Sequence, residues 1–304
     1  HTVAGSRLAD RILAFDPRTG VLRAEAGLTL HALNRLLLER GWFTPVTPGT
    51  QFVTLGGMVA SDVHGKNHHA AGTFGRHVRR LLVRTGGGEV VEASPDGERD
   101  LFLATTGGMG LTGHVLEVEV RMEPIASPWI RSESEAVPDL ETMVERLVAA
   151  GREWPYTVCW GDFVNHGGRG RGLLVKGRWA EPGEAAGRDF AWPGEVAVPF
   201  ALPDWALSTP AVRAFNVLYY HKHGSRVRRG VVHPQSFFYP LDAVLDWNLV
   251  YGRRGFTQYQ CVIPHEAGIG AFRKLFRIAL EHDAPPFLVV VKDFGAEGDG
   301  LLSF

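Results

Sequence analysis

Residues Asp62-Val63-His64-Gly65-Lys66-Asn67-His68-His69 place a carboxylate, an ammonium and three imidazoles side by side. Imidazole titrates near neutrality, so such a run can orient substrates and move protons. His64 and His68 stand four apart, the spacing of paired metal ligands on a helix. Gly65 and Asn67 are poor helix residues, however, and neither a third ligand nor a general base stands where zinc chemistry needs one. No metal site is expected. His68 and His69 read as hydrogen-bonded loop histidines, whereas His64 and Lys66 end a stretch from Pro48 rich in small residues that can pass close to a flat ligand. A second candidate is Lys292, at the end of the apolar run Phe287-Leu288-Val289-Val290-Val291. A charge there is costly unless an oxygen meets it. The alternative is a lysine leaving a sheet edge for solvent. Cys261 lies in the alternating Tyr259-Gln260-Cys261-Val262, and from the residues alone a buried, inert thiol is favoured. Gly108-Met109-Gly110-Leu111-Thr112-Gly113 matches the dinucleotide-binding GxGxxG pattern. That motif must follow a strand and open a helix; here a short helix precedes it and the β-patterned Val115 to Val120 follows.

Composition narrows the classes. The 304 residues carry 32 basic and 33 acidic side chains, a net charge of -1, so nucleic-acid binding has no electrostatic footprint. The two cysteines, Cys159 and Cys261, exclude a disulfide scaffold and a four-thiolate metal site; Cys159 reads as core. No apolar run approaches the roughly 20 residues that cross a bilayer. Glycine is the outlier, at 37 residues, roughly 12% against a usual 7%. It clusters at Gly49 to Gly75, Gly86 to Gly113 and Gly161 to Gly172. Such clusters suggest backbone drawn close around something.

The elements that must position these residues follow from periodicity and punctuation. Ile12 to Phe15 and Val21 to Ala26 flank a turn at Asp16-Pro17-Arg18-Thr19-Gly20 and read as a hairpin. Thr29 to Gly41 is an amphipathic helix with Thr29 as N-cap. Trp42 to Gly75 reads as a long irregular stretch. Strands are predicted over His77 to Arg84, Glu89 to Ala93 and Val115 to Met122, with a short helix over Asp100 to Thr105. Past the Pro124 to Pro128 boundary, Leu140 to Ala150 is a helix, and Thr157 to Val164 and Gly172 to Trp179 are strands. Glu181 to Pro203 reads as a mobile surface loop. Ser236 to Tyr239, Phe256 to Ile263 and Phe287 to Lys292 read as strands, with a helix over Glu266 to His282. The class is α+β, in two parts.

Thr47-Pro48-Gly49-Thr50, Val53 to His69 and Gly72-Thr73-Phe74-Gly75 together resemble the flavin-binding core of vanillyl-alcohol-oxidase-type FAD enzymes, and most of all the branch that oxidises polyprenylphosphoryl ribose. The HGKNHH string carries most of the specificity. Ala104 to Gly113, Tyr239-Pro240-Leu241-Asp242, Gln258 to Pro264 and Val291-Lys292-Asp293-Phe294-Gly295 agree with it. The resemblance implies an FAD-binding domain over residues 1–124 and an antiparallel-sheet substrate domain over 125–304. In that family a GRSYGD-like pyrophosphate loop precedes the stretch where this chain begins, and more sequence closes the substrate domain. The first residue, His1, and the apolar ending Leu301-Leu302-Ser303-Phe304 therefore read as the ends of a fragment.

The resemblance also implies residue roles. FAD binds non-covalently through Pro48, Gly49, Thr50, Val53, Thr54, Gly56, Gly57, Ala60, Ser61, Val63, His64, Gly65, Asn67, Gly113, Val115 and Lys292. Lys292 and His64 are the catalytic candidates, the lysine for negative charge developing on the flavin and the histidine for the hydroxyl and its proton. Lys66, Tyr239, Gln258, Gln260 and Cys261 line the substrate side. The implied reaction is oxidation of the 2′-hydroxyl of a polyprenylphosphoryl pentose to a ketone, completed to an epimer for cell-wall arabinan by a separate keto-sugar reductase. An aldonolactone or alditol oxidase using oxygen, and a non-catalytic sugar-phosphate-binding module, are the alternatives. Two basic clusters, Arg76-His77-Arg79-Arg80 and His221-Lys222-Arg226-Arg228-Arg229, read as solvated faces. For the second, contact with anionic lipid is the alternative, the expected location being cytoplasmic or periplasmic with membrane association.

Overall fold

The computed structural model describes residues 5–165, 169–223, 227–252, 255–282, 284 and 286–303. Arg226 of the second basic cluster, Gly167 and Gly168 of the third glycine cluster, and the residues at both ends of the chain lie outside them.

Strands β1 (Ile12–Asp16) and β2 (Val21–Glu25) form the hairpin expected from the turn signal. Helix α1 (Leu30–Leu37) follows, with Thr29 Oγ1 accepting from Ala32 N at 3.2 Å. The stretch after it holds two short helices, α2 (Leu55–Ala60) and α3 (His68–Ala71). Strands β3 (Val78–Thr85) and β4 (Val90–Ala93), helix α4 (Arg99–Thr105) and strand β5 (Gly113–Arg121) complete a five-stranded antiparallel sheet in the order β1-β2-β5-β3-β4. Its register stacks apolar residues on one face. Val118 at the centre faces Ala24 on one side and Leu81 on the other, and all three are fully buried.

The second sheet has the order β9-β6-β8-β7-β10, from β6 (Ile130–Val137), β7 (Tyr156–Asp162), β8 (Arg171–Trp179), β9 (Arg228–Val232) and β10 (Val289–Val291). It is also antiparallel. Helices α5 (Leu140–Gly151) and α8 (Gly268–Glu281) contribute to the cores on this sheet, α5 opening on Asp139, which accepts from Thr142 N at 2.8 Å. Helix α6 (Thr209–His223) also packs on this sheet. Among the described residues no helix is long and apolar enough to cross a membrane.

Three expectations change. Ser236 to Tyr239 is not a strand: Ser236 to Phe238 lie in helix α7 (Pro234–Phe238) and Tyr239 follows as its C-cap, the first turn being started by Pro234 and capped by His233 Nδ1 accepting from Gln235 N. Consecutive burial of Phe237, Phe238 and Tyr239 does not fit a half-buried strand. Phe256 to Ile263 forms no ladder. Its alternation finds no partner strand among the described residues, and Tyr259 and Val262 are exposed. Within Glu181 to Pro203, Val196–Ala197 pairs with Val244–Leu245. The third glycine cluster has a protein partner: a Cβ at Gly161 or Gly170 would stand 2.5 or 2.4 Å from the ring of Phe163, which stacks on Phe276.

Both sheets contribute to one core, and Tyr239 is part of it. Its hydroxyl accepts from Asn34 Nδ2 at 3.1 Å and lies 2.5 Å from Thr47 Oγ1, and all three residues are buried. Tyr239→Phe leaves two buried polar groups without a partner and is expected to cost roughly 1–3 kcal/mol. Urea denaturation of the two chains checks this, and equal midpoints would show that the core is not held here.

Candidate functional site

One strand edge assembles the site. Thr157 N of β7 donates to Lys66 O at 2.8 Å, and two positions on, Cys159 is the register partner of Val291. Lys66 and Lys292, distant in sequence, are thereby brought to one edge. Lys292 Nζ lies 3.3 Å from His64 Nδ1, and Gln260 Nε2 lies 3.0 Å from His64 Nε2. Phe294 sets its ring at 60° to His64 and stacks on His68 at 4.1 Å, while Gly295 N donates to His68 Nδ1 at 3.0 Å. Lys66 Nζ donates to Phe238 O at 3.0 Å.

The electrostatics follow from this crowding. Burial, then Lys292, then His68 hold His64 down to about 3, so it is neutral at ordinary pH. Burial and the neighbouring Lys292 bring Lys66 down to about 7, and burial brings Lys292 down to about 8. Among the described residues neither lysine has a carboxylate within ion-pair distance. With Lys292 donating to Nδ1, the proton of the neutral imidazole sits on Nε2 and requires an acceptor, so Gln260 presents its amide oxygen; the two ends of an amide are interchangeable in shape. The shifts also change the assignment of roles. An ordinary imidazole titrates near neutrality, but here it is the two lysines that the protein brings there.

The glycine clusters build an adjoining wall. Ala26 N donates to Leu116 O at 2.9 Å and its carbonyl accepts from Gly56 N at 2.8 Å, which ties α2 to β5. The carbonyls at the end of α2 are then capped from the second cluster, Val59 O by Gly107 N at 2.9 Å and Ala60 O by Met109 N at 2.8 Å. Gly49, Gly57 and Ser61 face outward on this wall, Thr54 caps α2 by accepting from Gly57 N, and Pro48, Thr50, Val53 and Ala60 are partly covered. Other glycines are small for the protein's own sake: a Cβ at Gly65 would meet Thr47 O at 2.9 Å, and one at Gly113 would meet Arg84 O at 2.2 Å. Val63 is half-buried and Val115 belongs to the core of the first sheet.

The expected substrate residues separate. Gln258, Gln260 and Cys261 are all exposed in the unpaired segment, where Gln260 alone of the three reaches His64 among the described residues, and Tyr239 is buried away from them. Sequence reading missed Asp62. Buried, with φ 36°, it accepts from Gly75 N at 2.6 Å through Oδ1 and from the Ser303 hydroxyl through Oδ2. Arg76 donates to Ala296 O and Glu297 O at 3.2 and 2.8 Å. Asp62, His68 and Arg76 thus fasten the strap 295–303 that follows Lys292. The only sequence signal for Asp62 is its place beside His64.

The donor set fits FAD. Two lysines without carboxylates suit a ring whose reduced form is anionic, and the Asn67 Oδ1, Thr73 Oγ1 and Thr106 Oγ1 atoms of the same region are buried without a hydrogen-bond partner.

Comparison with known proteins agrees with this fit. The FAD binding domain family matches residues 2–94. Decaprenylphosphoryl-beta-D-ribose oxidase of Mycolicibacterium smegmatis is 33% identical over 304 residues, 97% of this chain and 66% of its own length. An uncharacterized protein of the mprA 5′ region of Streptomyces coelicolor is 33% identical over 291 residues, 91% of this chain and 78% of its own. Human Delta(24)-sterol reductase is 27% identical over 136 residues, 45% of this chain and 26% of its own. The chain thus spans 66% of the length of the ribose oxidase.

A lysine held at about 7 when folded, against 10.5 when free, binds its proton more tightly in the unfolded chain between those values. Without a bound anion, stability therefore rises with pH across that window. Lys66→Met is expected to flatten the rise. Urea midpoints near both ends of the window measure it, and an equal slope in the variant contradicts the assignment.

Proposed function

The chain belongs to the FAD-linked oxidoreductases that these relatives represent, and on that premise we propose that it oxidises the 2′-hydroxyl of a polyprenylphosphoryl-β-D-ribose-like sugar to the 2′-keto compound. The observation that carries this is the junction of Lys292, His64 and Gln260 beside the glycine wall. It supports a division of the chain into an FAD-binding part over residues 1–124 and a substrate part over 125–304.

FAD, when bound, supplies the acceptor for the hydride that leaves the carbinol carbon. Residues Gly49 to Ser61 and Gly107 to Gly113 would hold it on one side, with Lys292 and His64 on the other. Lys292, as an ammonium, stabilises negative charge that builds as the hydride leaves. His64, neutral and fixed between Lys292 and Gln260, orients the hydroxyl. The proton of that hydroxyl needs an acceptor whose pKa lies near the working pH. Lys66 meets this requirement at about 7, where His64 at about 3 does not. The ketone product would pass to a separate keto-sugar reductase, completing the epimerisation that supplies arabinan synthesis, and the polyprenyl tail brings the work to a lipid surface.

Lys292→Ala is expected to lower turnover of polyprenylphosphoryl ribose by at least about a hundredfold, the scale of losing one charge-stabilising donor, while the visible absorption of bound flavin remains. Steady-state kinetics beside an absorption spectrum separate the two effects. Unchanged turnover, or peroxide release with soluble aldonolactones in place of this substrate, would exclude the proposal.

A further inference from the structure

Helix α6 is bolted to the second sheet by a buried polar cluster. Asn216 donates through Nδ2 to Asp162 Oδ1 at 3.0 Å, and Arg171 donates through Nε to Asp162 Oδ2 at 3.1 Å. Asp162 and Asn216 are 0% and 1% exposed, and Val212 is buried one turn before Asn216. An amide buried in this way fixes the rotation of the helix: turning it would take the Asn216 amide away from Asp162 Oδ1, while Arg171 and Asn165 keep the carboxylate in place. The opposite face is consequently held outward. It carries Phe215 and Leu218, 60% and 71% exposed, with Lys222 one turn beyond. Trp205, 71% exposed, stands on the short turn packed against this helix. Large apolar side chains held in water by a rigid anchor mark an interaction surface.

Charge identifies the partner. From residue 205 to 241 the sequence contains no aspartate or glutamate, in a chain whose net charge is -1. Arg213, Lys222 and Arg228 are exposed there, with no carboxylate in ion-pair distance among the described residues. Arg229, by contrast, pairs with Glu133 at 2.8 Å. An apolar stripe flanked by uncompensated cations is complementary to an anionic lipid surface, into which the stripe inserts while the cations meet headgroups.

We infer that the outer face of α6, with Trp205, is where the protein seats on anionic lipid. The purpose of this contact rests on the polyprenyl substrate proposed above, whereas its geometry does not.

The test is flotation of the full chain with vesicles of phosphatidylcholine, with and without phosphatidylglycerol. Binding to the anionic vesicles, weakened by salt, is expected. Phe215→Ser with Leu218→Ser should lower it by about tenfold or more through lost apolar insertion, and separately Lys222→Glu by about tenfold or more, in line with the reversal of one charge at such a surface. Wild-type protein should show a blue shift of tryptophan emission on these vesicles, reduced in Trp205→Phe. Circular dichroism confirms that the variants fold. Three results overturn the inference: no preference for anionic vesicles, variants that bind like wild type, or a wild-type dimer that the serine variant disperses and that ignores vesicles. Flavin absorption read in the same samples keeps the two proposals apart. A chain that holds FAD but ignores vesicles loses only the docking surface, and one that binds vesicles without FAD loses only the proposed activity.

Discussion

The edge of β7 that faces away from β8 is the constraint on which the site depends. Two backbone pairings on that edge, Thr157 to Lys66 and Cys159 to Val291, bring a loop from the first sheet and the last strand of the second to one line. Backbone hydrogen bonds fix the main chain in register, and the side chains that leave it, Lys66 and Lys292, inherit that placement. Slipping β10 by one residue would turn Lys292 to the other face. The aromatic layer of Phe294 on His68 and the strap fastened by Asp62 and Arg76 prevent that slip from the far side of the lysine.

Crowding cations in this way is unfavourable in the chain alone. Burial lowers both lysines and His64, Lys292 further disfavours charge on Lys66 and His64, and among the described residues no carboxylate relieves them. A folded protein keeps such an arrangement where a bound anion or a developing negative charge offsets it. FAD is the group that the family carries, and its reduced ring bears such a charge. The same crowding holds His64 neutral: a neighbour that stabilises an anion also repels an imidazolium.

Much of the first sheet was legible in the sequence because its elements are locally specified. The Asp16 to Gly20 turn, the Thr29 cap and the alternation of Val115 to Met122 each act over a few residues, and the structure follows them. The second sheet was harder. Strand β6 has its ends buried and everything between them half-buried, since Glu133 and Glu135 pair with Lys176 and so hide its periodicity. Phe256 to Ile263 alternates but has no ladder among the described residues, and Ser236 to Phe238 is helical because a proline starts it. Of the site, the HGKNHH run and Lys292 stood out by type and context. Asp62 did not, because its work is done across the chain on Gly75 and Ser303, which no local pattern reveals.

The claim that these parts form one working site is tested most directly by following flavin absorption without oxygen. Full chain carrying FAD is mixed with polyprenylphosphoryl ribose, and the visible flavin band is recorded over time. Bleaching of the band with matching formation of the 2′-keto sugar is the result expected. A chain that holds FAD fully oxidised in the presence of this substrate, or that takes up no FAD, would contradict it.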